Sequence, residues 1–176
     1  MSEVDLLDPI AAAAVNDRKD EDASEGTTVD VADLLMPDSV IAGLPVNDKA
    51  QLLAELARRA ASATGLPANH IRDALEARER LGSTGVGAGI AIPHAQIAGL
   101  DRFYGLFARL QRPIDYEAID QRPVDLAFLL LIPSDSKEHL HALACISRSL
   151  RDRATAASLR DAATAVELYN TLVSAR

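Results

Sequence analysis

Between residues 48 and 64 the apolar side chains recur at helical spacing, with Leu52, Leu53, Leu56 and Ala60 along one stripe. Asn47 stands before this run as a cap, Asp48 falls in the first turn, and Gly65 supplies a stop. A second helix is predicted from near Pro67, whose fixed φ suits a first turn, through ANHIRDALEARERL. Ile71, Ala74, Leu75 and Arg78 share one face of it. The pattern then changes. FYGLFARL (103–110) and VDLAFLLLIP (124–133) read as strands, the second so apolar that it suits a strand covered on both faces. Ser134-Asp135-Ser136 opens a further helix through Leu150, with Asp135 and Glu138 spaced as a capping box. Two short helices follow, near 153–161 and 164–174. Helices alternating with buried strands predict an α/β domain of three layers.

Composition places this domain. The chain has 176 residues, enough for one domain with a proper core. Hydrophobic residues make up 48%, yet no apolar run approaches the ~20 residues that cross a bilayer. The start, MSEVDLLDPI, carries acids where a secretory signal needs bases, so a cytoplasmic protein is expected. The single cysteine, Cys145, fits a reducing compartment. Residues 1–28 hold eight acids against Arg18 and Lys19, a charge of −6 out of −8 for the whole chain. The acidity therefore belongs to an Ala-, Asp- and Glu-rich tail, expected to be disordered, and residues 29–176 form the domain. With no basic stripe, no Trp and 3% aromatics, nothing favours nucleic acid.

One stretch carries candidate chemistry: GSTGVGAGIAIPHAQ, residues 82–96. Gly82 and Gly87 have the spacing of a Walker loop, but Ala88 stands where its lysine belongs. The dinucleotide fingerprint fails as well, with Ile90 or Ile92 in place of its last glycine. These glycines precede a short extended run, Ile90-Ala91-Ile92, that ends in Pro93-His94. Glycine permits φ > 0 and lets main-chain N–H groups approach an oxyanion. Pro93 pushes Ile92 toward extended geometry and presents His94 at a defined place. Two readings stand at this level: an imidazole poised for phosphoryl transfer, or a glycine-rich hairpin whose histidine is incidental. Elsewhere, His141 and Cys145 are four apart and suit either a shared metal or ordinary surface packing; His70 reads as solvated.

ALEARERLGSTGVGAGIAIPHA resembles the active-site block of enzyme IIA of the fructose–mannitol class in the bacterial phosphoenolpyruvate-dependent phosphotransferase system. PVDLAFLLLIPSDSKEHLHAL resembles that family's second block, and PIDYEAIDQRPVDL is similar to the segment between them in the nitrogen-regulatory branch. The likeness covers about residues 30–174. It implies a mixed, roughly five-stranded sheet flanked by helices on both faces, and a phosphocarrier that takes a phosphoryl group on His94 Nε2. The donor would be a phosphohistidine carrier protein of the HPr or NPr kind, with no cofactor and no metal. His139 would contact the phosphoryl group as a neutral partner at the start of its helix, and Arg78 would supply fixed positive charge. Ser83 and Thr84 would offer hydroxyls, and Gly85 and its neighbours N–H donors. Control of partner proteins by phosphorylation state is the implied purpose. The rivals are a sugar-transport component passing phosphate to an enzyme IIB, and a binding module that has lost the transfer. Two departures bear on the rate: Ala88 where the family commonly has Asn, and Gln96 where it commonly has Lys or Arg.

Overall fold

The computed structural model describes residues 28–175. The acidic tail expected to be disordered, apart from Thr28, lies outside them. A one-turn helix α1 (Val31–Leu34), capped by Asp30, leads directly into strand β1 (Leu35–Leu44). Helices α2 (Lys49–Thr64) and α3 (Ala68–Arg80) follow, as their apolar stripes require. The cap of α2 is Asp48 rather than Asn47: the Asp48 carboxylate accepts from the Gln51 N–H, while the Asn47 N–H donates to the Gln51 side chain. Three short strands come next, β2 (Gly85–Gly87), β3 (Ile90–Ala91) and β4 (His94–Ile97). The long strands β5 (Tyr104–Ile114) and β6 (Val124–Pro133) precede α4 (His139–Arg151), α5 (Arg153–Asp161) and α6 (Ala165–Ser174).

The sheet is mixed, in the order β1-β5-β6-β3-β2, with β4 also paired to β6. Six strands stand where roughly five were expected, because one strand is interrupted. β3 and β4 both run parallel to β6 with one offset, Ile90 opposite Leu126 and His94 opposite Leu130. Pro93 has no N–H to give, so the ladder breaks at residues 92–93 and then resumes in register. The Pro93 carbonyl still accepts from the Leu130 N–H at 3.0 Å. His94 thus sits at the start of a strand segment pinned to the most buried element of the fold.

Alternation along the strands sends side chains into two cores. One holds Leu106, Ala108, Leu129 and Leu131 against α2 and α3. The other holds Phe107, Phe128, Leu130 and Ile132 against α1, α4, α5 and α6. Residues of β6 enter both, which explains its unbroken apolar run. The three-layer expectation therefore holds. The start of α4 is later than expected: it begins at His139 with no side-chain cap, while residues 134–138 form a turn held by the Ser136 N–H to the Pro133 carbonyl.

The glycines divide between two structural tasks. Residues 87–89 all take positive φ, closing the β2–β3 hairpin, and Ala88 joins the two glycines at φ 56. Its N–H donates to Asp120 at 2.9 Å, and its carbonyl accepts from Arg160 at 2.8 Å, so both peptide groups hold the left-handed turn. Gly85 is needed for closeness instead. A Cβ there would lie 2.7 Å from the Ala118 Cβ and 2.8 Å from its Cα. Gly85→Ala is expected to destabilise the domain by about 1–3 kcal/mol, read as a lower urea midpoint, because backbone must move to admit the methyl.

Candidate functional site

His94 and Gln96 project from the same face of β4, while Ala95 and Ile97 are buried on the other. Next to them, the last turn of α3 presents Arg78, and the first turn of α4 presents His139. These side chains, with Ala74, Ala77, Leu81, Ile132, Leu140 and Leu143, line a shallow basin of about 540 Å³. Leu81 and Leu140 are 84% and 69% exposed, so the histidines lie within an apolar rim. The fold thus brings His94, His139 and Arg78 together from a strand and two helices on opposite faces of the sheet.

The hydrogen bonds fix the state of His94. Its Nδ1 lies 2.8 Å from the Ile92 carbonyl, which can only accept, so Nδ1 carries the proton. Its Nε2 lies 3.2 Å from Arg78 Nε, which can only donate, so Nε2 bears the lone pair. Arg78 is held in turn by Nη1 donating to the Gly82 carbonyl at 2.9 Å. Burial is the main force pushing the His94 pKa below its ordinary value. The Ile92 bond opposes this, and the Arg78 charge adds to it. At neutral pH the ring is a neutral imidazole whose Nε2 lone pair meets Arg78 beside the basin.

This lowering has a consequence for stability. The unfolded chain takes up the proton more readily than the folded one, in which His94 titrates below its ordinary value. The stability His94 gains by staying neutral is fully present above about pH 6.5 and is lost as pH falls through the lowered folded value. Urea midpoints measured from pH 7.5 down to pH 5 are expected to fall more for the parent than for His94→Gln.

His139 is oriented differently from the expectation of a neutral donor. Its Nδ1 lies 3.2 Å from the Ser136 carbonyl, so Nδ1 carries a proton and Nε2 of the neutral ring is an acceptor. Only the imidazolium form can donate from Nε2 to an anion. The hydroxyl and N–H groups named from the sequence divide as well. Thr84 is buried; its Oγ1 donates to Glu79 Oε2 at 2.5 Å and its N–H to Glu79 Oε1 at 2.9 Å. The Gly85 N–H donates to Ser83 Oγ at 3.1 Å. Neither Thr84 nor Gly85 has a free donor in this arrangement. The Ser83 hydroxyl is exposed and keeps its own proton to donate.

Three residues that no sequence pattern singles out lie beneath the loop. The side chain of Glu79 is 6% exposed and paired with Lys49 at 2.8 Å. Lys49 also stands 4.9 Å from the centre of the buried Tyr116 ring. Burial alone would raise the Glu79 pKa, but Lys49 and the two Thr84 donors outweigh it and hold the carboxyl below its usual range. Glu79 directly follows Arg78, and as one more acid on a helix it carries no signal of burial. Among the described residues no group of three or more His, Cys, Asp or Glu is placed to hold a metal, and no helix is long and apolar enough to cross a membrane.

The chain is similar to known proteins in sequence and in fold. Residues 33–175 match the family described as "Phosphoenolpyruvate-dependent sugar phosphotransferase system, EIIA 2". The chain is 47% identical to a nitrogen regulatory protein of Bradyrhizobium diazoefficiens over 143 residues, 81% of this chain and 94% of the relative. It is 36% identical to a nitrogen regulatory protein of Escherichia coli over 148 residues, 83% of this chain and 91% of that one. Among solved structures, nitrogen regulatory protein IIA-Ntr from Neisseria meningitidis superposes with a TM-score of 0.77 at 31% identity. That match covers 81% of this chain and 98% of the other.

Proposed function

Because the chain belongs to the EIIA 2 family of the phosphoenolpyruvate-dependent sugar phosphotransferase system, we propose that it is a regulatory phosphocarrier that accepts a phosphoryl group on His94 Nε2. The observation that carries this reading is the fixed tautomer: Nδ1–H to the Ile92 carbonyl, and a lone pair on Nε2 held against Arg78. The donor is a phosphohistidine carrier protein of the HPr or NPr kind. Its N–P bond breaks as the His94 Nε2 lone pair forms the new one, and no proton need leave His94. The ring gains positive character, which the Ile92 carbonyl stabilises.

Arg78 Nε loses its nitrogen acceptor in this step and turns its N–H to a phosphoryl oxygen, a charge-assisted bond. His139, in the first turn of α4 and lining the same basin, contacts the phosphoryl group. The first residues of α4, without a side-chain cap, add their N–H groups and the positive end of the helix. Gln96 faces the same basin and adds no charge where a cation would assist. The apolar rim of Leu81 and Leu140 suits contact with a protein donor.

A regulatory rather than a transport role rests on the likeness to the nitrogen regulatory proteins over more than nine-tenths of their length. The test is incubation with phosphoenolpyruvate, enzyme I and the carrier, followed by intact mass. The expected result is one acid-labile phosphoryl group per chain. No mass gain with the cognate donor would leave a binding module of this fold.

A further inference from the structure

We propose that Glu79 is a positioning residue for the His94 centre, clamping through Thr84 both the helix that carries Arg78 and the strand that carries His94. This deepens the phosphocarrier reading and rests on it. Both oxygens of this nearly buried carboxylate accept hydrogen bonds. Oε1 accepts from the Thr84 N–H at 2.9 Å and pairs with Lys49 at 2.8 Å. Oε2 accepts from Thr84 Oγ1 at 2.5 Å. Because the Thr84 hydroxyl proton goes to the carboxylate, the Tyr116 hydroxyl is the donor in its 2.9 Å contact with Thr84 Oγ1. The Thr84 and Tyr116 protons each have one acceptor, which fixes the direction of both hydroxyls.

The cluster reaches His94 through main chain. The Thr84 carbonyl accepts from the Ile92 N–H at 2.9 Å, and the Ile92 carbonyl accepts from His94 Nδ1 at 2.8 Å. On the other side, the Gly82 N–H donates to the Glu79 carbonyl at 3.1 Å, and the Gly82 carbonyl accepts from Arg78. Glu79 therefore holds fixed both ends of the 3.2 Å contact between Arg78 Nε and His94 Nε2. Its charge also acts on the ring from behind. The charged and titratable groups facing His94 are Arg78, Glu79 and His139, and of these only Glu79 favours positive charge on the imidazole.

The test follows His94 ring resonances by NMR titration in the unphosphorylated protein, beside the rate of phosphoryl uptake from the carrier. Glu79→Gln keeps shape and loses charge. It is expected to lower the His94 midpoint, weaken the Nδ1–H tautomer preference, and slow uptake about tenfold at saturating carrier. The carrier concentration for half-maximal rate should stay within about twofold, since the basin rim is unchanged. Thr84→Val should give the same slowing, Thr84→Ser should recover most of it, and Glu79→Gln with Thr84→Val should lose no more than either alone. If Glu79→Gln does not fold, the Thr84 pair decides, because valine keeps the volume and serine keeps the hydroxyl. A folded Glu79→Gln with His94 titrating as in the parent, or equal rates for Thr84→Val and Thr84→Ser, overturns the inference. Absence of uptake in the parent would refute the phosphocarrier reading, while the titration would still decide the role of Glu79.

Discussion

Replacing His94 with glutamine is expected to abolish phosphoryl uptake, lowering the rate by at least about 10⁴-fold, with the domain still folded. The reaction needs a lone pair at a nitrogen that faces the basin, beside a donor able to follow the phosphoryl group. Only His94 combines these. His139 shares the basin, but among the described residues no donor stands at its Nε2 as Arg78 stands at that of His94. His70 and His141 are exposed and absent from the basin lining. Glutamine can still offer an oxygen to Arg78 Nε, so the loss is of the nucleophile and leaves the arginine with an acceptor. Intact mass after incubation with the donor chain, beside urea unfolding of both proteins, checks it. Retained uptake would move the acceptor to another residue.

Arg78→Ala is expected to slow uptake by about 100- to 1,000-fold, the scale on which one preorganised donor to a developing anion acts. Arg78 is tethered at two points, to His94 Nε2 and to the Gly82 carbonyl, so it is in place before the dianion arrives. Arg78→Lys should recover only part of the rate. An ammonium restores charge, but it has no second planar N–H with which to hold Gly82 while pointing at His94. Single-turnover uptake of phosphate from the carrier measures both variants. Equal rates for alanine and the parent would remove Arg78 from the reaction.

The elements with strong periodicity are legible in the amino-acid sequence. The stripes of α2 and α3, the unbroken apolar run of β6 and the short C-terminal helices follow from spacing alone. β1 carries no such signal because Pro37, Asp38 and Gly43 interrupt it; parallel pairing with β5 overrides those local signals, with irregular register on either side. The strand carrying His94 is legible only up to Pro93. Its continuation shows a period of two over just four residues, too short to stand out. At the site, the resemblance to enzyme IIA leads to His94, Arg78 and His139, which the fold brings to one basin. The duties of the glycine loop are not readable in this way. Gly85 makes room for Ala118, and Thr84 turns inward to Glu79, because residues 116–118 pack beneath the hairpin from more than thirty positions away. No local pattern encodes that meeting.

The most direct measurement is proton–nitrogen correlation NMR of the histidine rings after phosphorylation by the cognate carrier. The geometry predicts the phosphorus on Nε2 of His94, with the proton on Nδ1 still bonded to the Ile92 carbonyl. Phosphorus on Nδ1 of His94, or on His139, would contradict it.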